Sequence, residues 1–411
     1  PAAELQAMKD RGEDLVIVDS RPMPEFENMS IPGGIDVPGA ELALRIHDIA
    51  PDPNTTIVVN CAGRTRSIIG AQSLINAGVK NRVVALENGT MGWHLAGLEL
   101  ARGQTQSFTP VSDEGLNRAL ECAKGVAARF EVPEIDVATL DKWREDTTRT
   151  LYVLDVRGRR EYEAGHLADA RWAPGGQLVQ ATDRTVGVKG ARLVLVDDNG
   201  VRATMTASWL IQMGWNDTYV LNDALESGPL VKESHQPHVF GLEAATPETV
   251  SPHALSALMV GGGAIVVDLT DSRDHRNGHI PGSRFAIRAN LPGNLDAIPD
   301  AISGGAKIVL TSTDGVLARL AAVDAILSGR DVKVLDGGTG AWADAGLPLA
   351  TGFKDALDDT VDVWYRPYDL DEGNEEAMET YLTWEVGLSD QIERDGTTRF
   401  RNFAAPPTAN T

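Results

Sequence analysis

Short apolar runs that close on an Asp and a polar turn recur along the chain. They are Leu15-Val16-Ile17-Val18-Asp19-Ser20-Arg21, Leu151-Tyr152-Val153-Leu154-Asp155-Val156-Arg157 and Ala264-Ile265-Val266-Val267-Asp268-Leu269-Thr270. Each run has strand length and no polar alternation, the pattern of a strand buried on both faces of a parallel sheet. A Gly-bearing elbow follows each: Ser30-Ile31-Pro32-Gly33-Gly34, Gly165-His166-Leu167-Ala168 and Gly278-His279-Ile280-Pro281-Gly282. A second apolar run comes next, Thr56-Ile57-Val58-Val59-Asn60, Ala191-Arg192-Leu193-Val194-Leu195-Val196 and Lys307-Ile308-Val309-Leu310-Thr311. A loop, a helix rich in small residues and a short third strand complete each pattern.

The spacing is regular. Asp19 to Asp155 and Cys61 to Asp197 are both 136 positions, while Asp155 to Asp268 is 113 and Asp197 to Ser312 is 115. Unrelated segments would not keep such offsets, so the chain repeats one unit of roughly a hundred residues three times. Strands alternating with helices predict an α/β fold: three tandem domains, each a small parallel sheet with helices on both faces, plus a C-terminal extension. The expected divisions are 1–105 for the first domain, 106–132 for a helical linker, 133–232 and 247–352 for the second and third domains, and 353–411 for an extension with one helix. In the linker, Ser112 or Asp113 is expected to cap a helix reaching residue 130. In the extension, an acidic stretch with Trp364, Tyr365 and Tyr368 precedes a helix expected to be capped by Asn374, with Met378, Tyr381, Leu382 and Leu388 on one face. That tail is expected to dock on the protein's own surface or on another subunit.

The first unit carries the chemistry. Its second strand runs into Cys61-Ala62-Gly63-Arg64-Thr65-Arg66-Ser67 and then a helical pattern through Ile68, Ile69, Ala71, Leu74 and Ile75 that stops at Gly78. Cys61 thus stands at the carboxyl end of a parallel strand, the edge where open α/β sheets bind ligands. A loop entering a helix turns its N–H groups inward as an anion cradle. A helix end and a guanidinium each favour a thiolate, so the Cys61 thiol is expected to titrate near or below neutrality. Arg64 and Arg66 suit the sulfonate-like oxygens of an anionic substrate.

This loop resembles the active-site loop of the rhodanese family. The resemblance extends to Val18-Asp19-Ser20-Arg21, Glu25-Phe26, Ile31-Pro32-Gly33-Gly34 and Glu87-Asn88-Gly89-Thr90-Met91-Gly92-Trp93, and over roughly residues 1–352 as three copies. Ser30 departs from the family, which often has His there. The resemblance implies a sulfurtransferase: Cys61 becomes a persulfide, cradled by the backbone of Ala62, Gly63, Arg64, Thr65, Arg66 and Ser67, with Arg64 and Arg66 on the donor anion. Asp19 and Arg21 are expected to brace the loop. A sulfane sulfur would pass from thiosulfate or a persulfide to a thiol or cyanide.

The other copies lack the thiol. Asp197 and Ser312 occupy its place; a carboxylate carries no persulfide, and a Ser without a general base is a poor nucleophile. Both units are expected to be inactive, with His275 and His279 in structural roles. Two inactive units keep open a non-catalytic sulfur carrier or scaffold. A cysteine phosphatase or arsenate reductase is disfavoured, because cysteine phosphatases place their loop Arg one position further from the Cys than Arg66 stands from Cys61. Cys122 is either a resolving thiol or a spectator on the linker helix.

Composition narrows the partners. A net charge of −22 over 411 residues argues against nucleic acid, and no apolar stretch long enough to span a membrane occurs. Two cysteines make a disulfide framework improbable. Neither a metal cluster nor a nucleotide fingerprint is visible, so no cofactor is expected. The expected partners are a small anionic sulfur donor and a thiol acceptor, small molecule or protein; a homo-oligomer stays open. The first residue, Pro1, suggests a processed or partial chain, so a cytoplasmic location is expected with the periplasm left open.

Overall fold

A computed structural model describes residues 1–403 apart from 227, 234, 236, 297, 299–304 and 371; the last eight positions of the expected extension, 404–411, lie outside the described residues. The described chain forms two compact units, residues 1–236 with 373–411, and residues 237–372.

The first unit begins with α1 (Ala2–Asp10), β1 (Leu15–Asp19), α2 (Met23–Asn28), β2 (Ile35–Asp36), α3 (Leu42–Ile49), β3 (Thr56–Asn60), α4 (Thr65–Asn76), β4 (Val83–Ala85) and α5 (Gly89–Leu95). The strands form a parallel sheet in the order β2-β1-β3-β4, with Asp19 opposite Asn60. β3 is buried along its whole length, as its unbroken apolar pattern requires. Helices close both faces: Val18, Leu42, Ile46, Val59 and Leu74 pack on one side, Leu5, Ile17, Val58 and Trp93 on the other. Trp93 is core, its indole N–H donating to the Glu99 carbonyl. Gly78, at φ +75°, ends α4 as expected: its N–H bonds the Ile75 carbonyl and that of Val79 bonds Leu74, a Schellman close.

Helix α6 (Asp113–Phe130) starts at Ser112, whose hydroxyl accepts from the Gly115 N–H. It is a structural wedge: Ala119 and Ala123 pack with Leu44 and Val201, while Val126 and Phe130 join the core of the second domain. That domain repeats the design with a five-stranded parallel sheet in the order Glu134–Ile135, Thr218–Leu221, Arg192–Val196, Leu151–Asp155, Arg171–Trp172.

The second unit has the same five-stranded parallel order: Thr249–Val250, Val332–Leu335, Lys307–Thr311, Ala264–Asp268, Arg284–Phe285. Trp342 is buried in its core like Trp93. His275 and His279 are buried and stacked, and His275 Nδ1 lies 2.8 Å from Asp268. The acidic stretch after residue 352 wraps this domain: Asp358 accepts from the Ile287 N–H and the Asn294 amide, and Asp362 from the Ser272 N–H.

The expected single C-terminal helix is two, Asn374–Val386 and Leu388–Asp395, divided at Gly387, so Leu388 begins the second helix. Asn374 is the first helical residue; Gly373, at φ +71°, precedes it. Beyond the second helix the tail lies along the second domain, the Arg401 N–H bonding the Gln212 carbonyl and Phe403 packing edge-on against Phe130 at 5.2 Å.

Candidate active site

The parallel register carries β3 straight into the 61–67 loop, so Cys61 leaves the sheet beside the end of β1. The strand ends are tied together: Arg21 Nε and Nη2 bond the Asp19 carboxylate at 2.8 and 2.9 Å, Nη2 also reaches the Met29 carbonyl, and Asn60 Nδ2 donates to Asp19 at 2.6 Å. Asp19 and Arg21 therefore fix the residue immediately before Cys61.

The loop's backbone polarity is set by α5. The Thr90 N–H donates to the Cys61 carbonyl at 2.9 Å and the Met91 N–H to the Ala62 carbonyl at 3.0 Å. With these carbonyls turned out, the loop presents N–H groups to its interior. Gly89, at φ +56°, is required there, because a Cβ would strike the Cys61 carbonyl. The N-terminus of α4 adds the amides of its first turn, which have no carbonyl partner within the helix. Arg64 Nη1 donates to Asn88 at 3.1 Å. Arg66 does not point a free fork at the cradle: both its Nη atoms are held by Glu25, at 2.9 and 2.8 Å. The guanidinium remains near enough to act on the thiol electrostatically.

Cys61 is 2% exposed. Burial pushes its thiol up from the ordinary value, against the pull of the Arg66 charge and hydrogen bonding from Ser67. This reverses the expectation of a thiol near or below neutrality. Loop and helix end do favour the thiolate, but removing the sulfur from water outweighs them.

The cover is a residue that the motif did not reveal. Glu385, from the Asn374–Val386 helix, sets its carboxylate in the loop: Oε2 accepts from the Arg64 N–H at 3.0 Å, and Oε1 from the Thr65 N–H at 3.1 Å and the Thr65 hydroxyl at 2.7 Å. Gly63 lies beneath it; a Cβ there would meet Glu385, Met91 and Tyr381. Tyr381 is half-buried against the site, and burial together with the Glu385 charge pushes its hydroxyl up to about 12, so it stands neutral. A signal existed in the sequence, since Glu385 extends the face of Met378, Tyr381 and Leu382 by one helical step.

Among the described residues no three His, Cys, Asp or Glu side chains gather as a metal site, and no helix is long and apolar enough to cross a membrane. Cys122 lies half-buried on α6, 3.6 Å from His47 Nε2.

A family profile described as rhodanese-like domain matches residues 1–96, 136–227 and 251–345. The chain belongs to the rhodanese-like family. Its three parallel sheets mark three rhodanese-like domains. The chain is also similar to the crystal structure of a thiosulfate sulfurtransferase from Pseudomonas aeruginosa, with 46% identity and a TM-score of 0.87 over 98% of this chain and 76% of that one. A shorter similarity, 35% over 101 residues, is to the HTH-type transcriptional regulator Rv0324 of Mycobacterium tuberculosis (strain ATCC 25618 / H37Rv); it covers 25% of this chain and 43% of that relative's length.

Proposed function

We propose that this rhodanese-like chain is a sulfurtransferase in which Cys61 carries the sulfur. The observation that carries the reading is the placement of a thiol at a strand end, in a loop whose Cys61 and Ala62 carbonyls are held by α5 and whose Arg64 and Thr65 amides receive a carboxylate. Similarity across nearly the whole chain to a thiosulfate sulfurtransferase supports it. With thiosulfate as donor, the Cys61 thiolate attacks the sulfane sulfur. A Cys61–sulfur bond forms, the donor's sulfur–sulfur bond breaks, and sulfite leaves with the electron pair. The thiol proton goes to solvent. A thiol or cyanide acceptor then attacks the outer sulfur and releases the Cys61 thiolate.

In this scheme the inward amides of residues 62–67 hold the charge of the persulfide. Arg64 stands at the rim, where it can meet the donor anion. Arg66 contributes its field while Glu25 fixes its position. Asp19 and Arg21 act through Asn60, holding the strand end that carries the thiol.

The burial of Cys61 lends support to a second reading, a carrier that is loaded but turns over slowly. Thiocyanate formation from thiosulfate and cyanide separates the two. Steady turnover by the full chain, lost in Cys61→Ser, is the expected result; a single stoichiometric release without turnover points to the carrier. No release at all contradicts both.

A further inference from the structure

The Glu385 carboxylate makes the contacts that an anionic ligand of the loop would make. It takes two consecutive backbone amides and one hydroxyl at the entrance to α4. It also sits one residue from the end of its own helix, where the helix dipole disfavours negative charge, while the α4 end it faces favours it. The helix is anchored by Met378 and Leu382, both buried, and by an exposed contact at 3.5 Å between Glu375 and His94 on α5. Tyr381 and Glu385 are left on the same face, above the loop. The helix thus lies over the loop with Met378 and Leu382 buried and the Glu385 carboxylate on the Arg64 and Thr65 amides.

We propose that Glu385 is a specificity-determining residue that competes with the donor: its carboxylate and the donor anion claim the same Arg64 and Thr65 amides, and the Asn374–Val386 helix lifts from Cys61 when the donor enters. The identity of the competitor rests on the sulfur-transfer reading; the plug itself does not. Neutralising Glu385 admits the donor at lower concentration and exposes the thiol. Charge is the lever, so the isosteric amide acts in the same direction as truncation, but less strongly.

The test uses the full chain, with Glu385→Gln and Glu385→Ala beside the wild type. Each is reacted with iodoacetamide, a neutral probe, and alkylation is followed by mass at each cysteine, with Cys122 as the internal reference. Loss of the charged hydrogen bonds is expected to speed Cys61 alkylation on the order of tenfold in Glu385→Ala, with Cys122 unchanged. The thiosulfate KM falls in both variants while kcat holds or rises. Cys61 alkylation within about twofold of wild type overturns the plug, as does a KM that rises in both variants, since that makes Glu385 an aid to the donor. A chain that alkylates faster but transfers no sulfur sinks the sulfurtransferase reading and keeps the plug. Hydrogen exchange on Cys61→Ser needs no Glu385 variant: added thiosulfate is expected to speed exchange across 374–386, and unchanged exchange at saturating thiosulfate contradicts the competition.

Discussion

The 61–67 and 197–203 loops stand 136 positions apart on matching strand ends and satisfy the same backbone in opposite ways. In the second domain Asp197 fills its own loop, its carboxylate accepting from the Gly200 N–H at 2.6 Å and the Ala203 N–H at 3.1 Å. In the first, the corresponding residue is Cys61, which leaves the Arg64 amide to Glu385, a residue more than three hundred positions away. The framing pairs are otherwise shared. Arg157 holds Asp155 and the Gly165 carbonyl as Arg21 holds Asp19 and Met29, and Arg202 holds Glu161 as Arg66 holds Glu25. A frame that survives where no thiol exists is architectural. What distinguishes the first loop is the thiol, α5 behind it, and a cradle closed by a group that can leave. In the second domain a short turn of 3-10 helix, Ala224–Glu226, stands where α5 would be.

The comparison breaks most visibly if the first loop is made to copy the second. Cys61→Asp is expected to abolish sulfur loading and to free the Asn374–Val386 helix, read as faster hydrogen exchange there. Next in size is Arg202→Ala. Arg202 is fully buried and holds the buried Glu41 and the more exposed Glu161 and Asp198 at 2.6–2.7 Å, so its loss leaves Glu41 with Arg45 as its remaining cation, at a cost of about 3 kcal/mol in urea unfolding. Arg66→Ala, at a partly exposed pair, costs less. Asp197→Ala orphans two amides and is expected to cost about 1–3 kcal/mol, more than Cys61→Ala. A pH-linked effect separates the strand ends, where Asp36 stands in the position of Trp172. Burial, reinforced by Asp19, raises the Asp36 carboxyl to about 8. Between about pH 4 and 8 the folded chain therefore holds a proton that the unfolded chain has lost, and stability falls as pH rises through that window. Asp36→Asn is expected to flatten this slope, raising Tm at pH 8 relative to wild type and leaving it little changed at pH 4.

The tandem α/β architecture was legible because buried parallel strands are unbroken apolar runs and the Asp, elbow and loop recur at fixed offsets. The Cys61 loop was legible because a motif is local. Other features were not. The titration of Cys61 depends on what lies over it, and local sequence predicts only the loop's favourable half. Arg66 looks like an anion ligand when read beside Cys61, yet its partner Glu25 is 41 positions away and is identified only by the matching Arg202–Glu161 pair. Gly387, which splits the expected single helix, was an ordinary break signal in a segment whose apolar face continued past it.

Cys61 alone is expected to take up sulfur. Intact-mass spectrometry of the full chain after thiosulfate, beside Cys61→Ser, tests it most directly. The expected result is a gain of one sulfur atom in the wild type, discharged by cyanide or glutathione and missing from Cys61→Ser. An equal gain in Cys61→Ser, or none in the wild type with thiosulfate or a persulfide donor, would contradict it.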